Sequence, residues 1–140
     1  MAQVEAEDND KTTVKKGHGP WILLVEDDRF TAKMYSAKFS HDGIDLKVAE
    51  DEEQMLALLK ESLPAVIFLD LILPKKNGFE ILEDLKKDSH LKNIPILILS
   101  NLGQKSDIER GLSLGAKEYL NKTDVRIEDV VSKAKKYMGA

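Results

Sequence analysis

From residue 21 onward, short apolar runs alternate with segments whose apolar residues recur at helical spacing. The runs fall at 22–25, 46–49, 65–69, 94–99 and 118–120, bounded by Gly, Pro, Asp or Asn. Ala65-Val66-Ile67-Phe68-Leu69 lacks the alternation of a half-exposed strand, which suits a strand covered on both faces. Asp51-Glu52-Glu53-Gln54 reads as a capping box, with Asp51 at the N-cap and Gln54 reaching back, and Met55, Leu58 and Leu59 follow at helical spacing. Ser106-Asp107-Ile108-Glu109 is a second such start, opening a short helix toward Leu114, with Gly115 suited to a left-handed C-terminal residue. A last helix aligns Ile127, Val130, Val131, Ala134 and Met138 on one stripe. Five β-α repeats predict an α/β, doubly wound domain: a parallel sheet, right-handed crossovers and helices on both faces.

Composition trims the possibilities. A length of 140 residues fits one domain, expected over 21–138, with no internal repeat. Residues 1–20 carry Glu5, Glu7, Asp8, Asp10, Lys11, Lys15, Lys16, Gly17 and Gly19 with little to bury, and are expected to form a disordered polar tail. There is no cysteine, which excludes disulfides and thiolate metal sites. The apolar runs are strand-sized, far below a membrane span of about 20 residues, and the start does not resemble a secretory signal. A cytoplasmic protein without membrane attachment is expected. The net charge of -4 gives no support to direct nucleic-acid binding, and Lys133, Lys135 and Lys136 read as a solvated helix face.

In parallel α/β sheets, ligands bind beyond the carboxyl ends of the strands. The first strand ends in Glu26-Asp27-Asp28, the third at Asp70 and the fourth at Ser100-Asn101, and the fifth is followed by Lys122. The pattern therefore sends three or four carboxylates, a hydroxyl and an ammonium to one rim. Crowded carboxylates repel unless a cation is present. A hard divalent ion with oxygen ligands resolves the conflict, and Mg2+ leaves room for a phosphate oxygen. Lys122 can neutralise phosphate charge and Ser100 can donate a hydrogen bond to it. Each residue also has a plainer reading: the acidic triplet as a helix cap, Asp70 as a turn residue, Ser100 as a cap, Lys122 as a solvated side chain. Their coincidence at four strand ends favours a shared site.

The motifs around these residues resemble those of a response-regulator receiver domain of the chemotaxis-like superfamily. Residues 22–28 resemble its opening strand and acidic pair, 66–74 with Asn77-Gly78 its phosphorylation segment, 95–100 the strand ending in Ser or Thr, and 115–122 the strand with the switch aromatic and lysine. The resemblance covers about residues 21–138. It implies a flavodoxin-like (βα)5 three-layer sandwich with a five-stranded parallel sheet in the order 2-1-3-4-5. It implies that Asp70 is the phospho-acceptor and that Glu26, Asp27, Asp70 and the backbone carbonyl of Ile72 bind Mg2+ or Mn2+. It further implies that Ser100 and Lys122 assist the phosphoryl group and that Ser100 and Tyr119 form the switch. The implied partners are a histidine kinase or phosphotransfer protein, and a downstream target docking on the face of helix 4, strand 5 and helix 5. A stand-alone monomer or weak dimer, acting as a signalling phospho-acceptor and not a turnover enzyme, is the corresponding expectation.

Three residues depart from the family pattern: Thr123 stands where proline is usual, Asn101 where a small residue is common, and Glu26 where the first aspartate is more frequent. Without proline, a cis peptide after Lys122 is not expected. The side chains two places beyond the acceptor and the hydroxyl residue flank the path of attacking water in the family. Here they are Ile72 and Leu102, which cannot orient a water, so slow hydrolysis of the acyl phosphate is expected. Asn101 is the one polar neighbour able to offset this. Competing readings are a phosphorylation-independent interaction module with the same fold, an aspartyl phosphohydrolase and a nucleotide-binding enzyme. The second is disfavoured because Asp70 is followed by Leu71-Ile72 and not Asp-x-Asp; the third, because no glycine-rich loop follows the first strand.

Overall fold

The computed structural model describes residues 20–139, so the expected polar tail lies outside the described residues except for Pro20. Ten elements alternate: β1 (Ile22–Val25), α1 (Arg29–His41), β2 (Leu46–Ala49), α2 (Glu52–Glu61), β3 (Val66–Leu69), α3 (Gly78–Lys87), β4 (Ile96–Ser100), α4 (Lys105–Ser113), β5 (Glu118–Asn121) and α5 (Ile127–Met138). All strands pair in parallel in the order β2-β1-β3-β4-β5. This is the flavodoxin-like (βα)5 sandwich that the resemblance implies.

Successive strand residues point to opposite faces, and the two faces bury different sets. Leu23, Val25, Ile67, Leu69, Ile96 and Ile98 pack with Met55 and Leu59 of α2 and with Phe79, Ile81, Leu82 and Leu85 of α3. Ile22, Leu24, Val66, Phe68, Leu97 and Leu99 pack with Tyr35 and Phe39 of α1 and with Val130, Val131 and Ala134 of α5. The central strands are therefore buried throughout, which is why their sequences do not alternate. The register aligns the strand ends: Val25 lies beside Ala49 and Leu69, and Ser100 beside Asn121. Whatever follows these residues is gathered at one rim.

Some element ends move. β3 starts at Val66, not 65, and β4 at Ile96, not 94; the Pro95 carbonyl still accepts the Ile67 amide (2.9 Å), but proline has no amide to donate to the ladder. Asp51 caps α2 by accepting from the Gln54 amide (2.9 Å), but the Gln54 side chain reaches past it to the Glu50 amide (2.8 Å). The start of α4 is displaced further: the N-cap is Gln104, whose amide donates to Asp107 (3.3 Å), and Ser106 lies inside the first turn. Gly115 has φ +113°, the left-handed region reserved for it, and the α5 stripe is buried or half-buried as its spacing requires.

Candidate functional site

The acidic triplet after β1 divides between two tasks. Asp28 is the N-cap of α1: its carboxylate accepts from the Thr31 amide (3.0 Å) and from the Thr31 hydroxyl, which together hold its pKa below the ordinary value. Glu26 turns inward and is 2% exposed. One of its oxygens accepts the Asp28 amide (3.1 Å) and the other accepts from the Lys122 ammonium. Asp27 remains exposed. Oxygen atoms of Glu26, Asp27 and Asp70 all lie within 4.8 Å of one another.

Asp70, 5% exposed, follows the last residue of β3. Its Oδ1 accepts the Ile72 amide (3.2 Å) and its Oδ2 accepts from Lys122 Nζ (3.4 Å). The chain then doubles back so closely that a Cβ on Gly78 would meet the Asp70 carbonyl oxygen at 2.4 Å, which only glycine avoids. Gly78 also donates its amide to the Leu71 carbonyl (2.9 Å), and Asn77 caps α3 by accepting from the Glu80 amide (3.1 Å).

Lys122 extends the β5 ladder through its amide to the Ser100 carbonyl (2.9 Å) and reaches across β4 to the carboxylates. Burial disfavours its ammonium, but the Glu26 hydrogen bond and the charges of Asp70 and Glu26 win, and its pKa lies above the ordinary lysine value. The Glu26 pKa is raised as well: burial lifts it above the ordinary carboxylate value, the Lys122 hydrogen bond opposes this, and the Asp70 charge adds to it. The turn after Lys122 is held by Asn121 Oδ1, which accepts both the amide (3.0 Å) and the hydroxyl (2.8 Å) of Thr123. A proline at 123 would lack that amide and could not make this bond. No cis peptide occurs among the described residues.

Ser100 is fully buried at the end of β4, and its hydroxyl oxygen accepts the Leu102 amide (3.4 Å). The Leu102 carbonyl in turn accepts from the Tyr119 hydroxyl. Burial, then the charges of Asp107 and Asp70, push the Tyr119 phenol up to about 12. Ser100 and Tyr119 stand apart from the acidic cluster: among the described residues neither hydrogen-bonds to Glu26, Asp27 or Asp70. They are joined instead through the Leu102 peptide, a link that nothing in the side chain of Leu102 announces in sequence. Ile72 is 53% exposed, Leu102 is half-buried against the core, and Asn101 is exposed.

The donor set fits a hard divalent cation. It offers three carboxylates and no nitrogen or sulfur ligand, two of the three are buried, and one lysine ammonium is their counter-charge. A phosphoryl group placed beside Asp70 would meet that ammonium.

Comparison with known proteins agrees with this architecture. The family model for the response regulator receiver domain matches residues 22–135, and the chain belongs to that family, the receivers of two-component signal transduction. It is 37% identical over 103 residues to the DNA-binding dual master transcriptional regulator RpaA of Synechocystis, a match spanning 74% of this chain and 43% of that protein. The chain thus spans less than half the length of that relative. Among solved structures, it is similar to the Francisella response regulator 1452 receiver domain (TM-score 0.78, 30% identity, 86% of this chain and 98% of that one). It is also similar to the Mn2+-bound form of response regulator Rcp1 (TM-score 0.70, 27% identity, 84% and 90% of the two chains). No helix among the described residues is long and apolar enough to cross a membrane.

Proposed function

We propose that this receiver accepts a phosphoryl group on Asp70 from the phosphohistidine of a histidine kinase or phosphotransfer protein, or from a small phosphodonor. The observation that carries this reading is the convergence of a buried Asp70 with Glu26, Asp27 and the Lys122 ammonium at one rim. An Asp70 oxygen bonds to phosphorus as the phosphorus–nitrogen bond of the donor breaks, and the departing imidazole takes up a proton. The Ile72 amide orients Asp70, and Lys122 offsets the charge gathering on the phosphoryl oxygens. Ser100 donates its hydroxyl to one of those oxygens. A divalent cation, Mg2+ or Mn2+, would be held by Glu26, Asp27, Asp70 and the Ile72 carbonyl and would supply further charge neutralisation, and the similarity to the Mn2+-bound form of Rcp1 supports a divalent cation here.

Output follows from the Ser100–Leu102–Tyr119 link. A Ser100 hydroxyl engaged by phosphate changes what holds Leu102, and Leu102 is what holds the Tyr119 hydroxyl. The face of α4, β5 and α5 then changes its affinity for a target protein. DNA binding is a property of the RpaA relative and is not carried over, since the match spans 43% of that protein. A cytoplasmic location is part of this proposal. The test is incubation with a small phosphodonor and Mg2+ followed by intact mass, with cation binding read from amide shifts. Trp21 precedes β1, at the opposite end of the strand from Glu26, so its fluorescence is a poor reporter of the rim. No phosphate gain in the native chain would leave a phosphorylation-independent interaction module as the reading.

A further inference from the structure

The loop joining β3 to α3 carries Ile72, whose amide bonds Asp70, yet it has few apolar anchors where it passes the site. Leu71 is buried and Leu73 is half-buried, but Ile72 is 53% exposed, and Pro74, Lys75 and Lys76 offer nothing to the core. A polar anchor takes over. Lys76 Nζ reaches both carboxylate oxygens of Glu52 at the start of α2 (3.2 and 3.3 Å) and bonds the Asp84 carboxylate on α3. It links the loop to two helices at once, 24 residues back and 8 residues on. Those hydrogen bonds to Asp84 and Glu52 raise its pKa above the ordinary lysine value, so the anchor is charged throughout the neutral range. Neighbouring Lys75 is more exposed and meets Asp51 only at 3.7 Å, the kind of surface pair that contributes little. A three-member network spanning three elements differs, because losing its hub, Lys76, frees the loop from both helices.

We propose that Lys76 is a positioning residue for the acceptor site: by tying the loop to Glu52 and Asp84 it fixes where Ile72 stands relative to Asp70. This rests on the reading of Asp70 as acceptor only in its consequence for phosphoryl uptake; the consequence for loop order stands by itself. Positioning groups that touch neither ligand nor acceptor still set affinity, because the groups they hold must otherwise be ordered on binding.

The test compares native protein with Lys76→Met, Lys76→Arg and Glu52→Gln, by amide hydrogen exchange without cation, Mn2+ affinity and the initial rate of phosphoryl uptake. In Lys76→Met, exchange rises at Ile72 and Leu73 while the β1 and β3 amides keep their protection, Mn2+ affinity falls roughly three- to tenfold and uptake slows. Glu52→Gln gives a smaller change in the same direction, and Lys76→Arg restores most of the loss. Near 1 M salt, where the Debye length is about 3 Å, the native protein converges on the Met variant. Unchanged exchange and Mn2+ affinity in Lys76→Met overturn the proposal, as does a rise in exchange spread evenly over the domain. A native chain that binds no cation and takes no phosphate defeats the acceptor reading instead, and exchange at Ile72 still decides the role of Lys76.

Discussion

Helices α3 and α4 each follow a strand with a candidate site residue at its carboxyl end, Asp70 just beyond β3 and Ser100 closing β4, and they are held very differently. In α3, Gly78, Phe79, Ile81, Leu82 and Leu85 are buried; in α4, only Gly111 is. That glycine lets the helix lie so close that a Cβ would meet Ile98 Cδ1 at 2.4 Å and the Tyr119 ring at 3.2 Å. Burial on this scale makes the acceptor side a fixed platform, whereas α4 can shift without exposing much apolar surface. The proposed function draws on both: a rim that holds its carboxylates still, and a neighbouring helix whose position a small change at Ser100 or Tyr119 would alter.

The largest expected difference between the two sides is in stability. Leu82→Ala in α3 should cost about 2–5 kcal/mol, and Leu112→Ala on the exposed face of α4 less than about 0.5 kcal/mol, both read by denaturant unfolding. Similar losses in the two variants would erase the contrast. Lys122→Met should cost about 2 kcal/mol near neutral pH, because it leaves buried Glu26 and Asp70 without a counter-charge, and added Mg2+ should restore part of it. A neutral or stabilising effect would show that the ammonium is not what balances the cluster.

A smaller effect concerns the lifetime of the acyl phosphate. Of the two apolar residues flanking the expected water path, Ile72 is exposed and Leu102 is half-buried in the core. Ile72→Asn should therefore speed loss of phosphate after donor removal more than Leu102→Glu does. Faster decay in the native protein than in both variants would contradict shielding. A further effect, confined to alkaline pH, is on the output side. With its folded pKa near 12 and an ordinary value of 10.0, the Tyr119 phenol keeps its proton longer when folded. Its contribution to stability is full below pH 10.0 and is lost as pH rises toward about 12. Tyr119→Phe should flatten that alkaline loss, and an unchanged slope would mean that the phenol is not held as described.

The parallel sheet with helices on both faces and the gathering of Glu26, Asp27, Asp70, Ser100 and Lys122 at the carboxyl ends of the strands were legible in the hydrophobic pattern, because burial on both faces removes alternation from the central strands and parallel pairing aligns their ends; the strand order came from the family resemblance. The start of α4 was not: Ser106 and Asp107 are both good N-terminal residues, and the choice falls to the Gln104 amide meeting Asp107. The division of Glu26-Asp27-Asp28 was equally hidden, since an acidic run can cap a helix or line a site, and here Asp28 does the first while Glu26 turns inward. The Lys76 anchor and the Leu102 link depend on contacts between distant residues or on backbone atoms, for which local pattern carries no signal.

Asp70 as the acceptor is the claim on which the rest turns. Its most direct measurement is the intact mass of native protein and Asp70→Asn after exposure to a small phosphodonor with Mg2+. The account predicts a gain of one phosphate in the native chain, loss of that gain when the divalent ion is chelated, and no gain in Asp70→Asn. An undiminished gain in Asp70→Asn would contradict it.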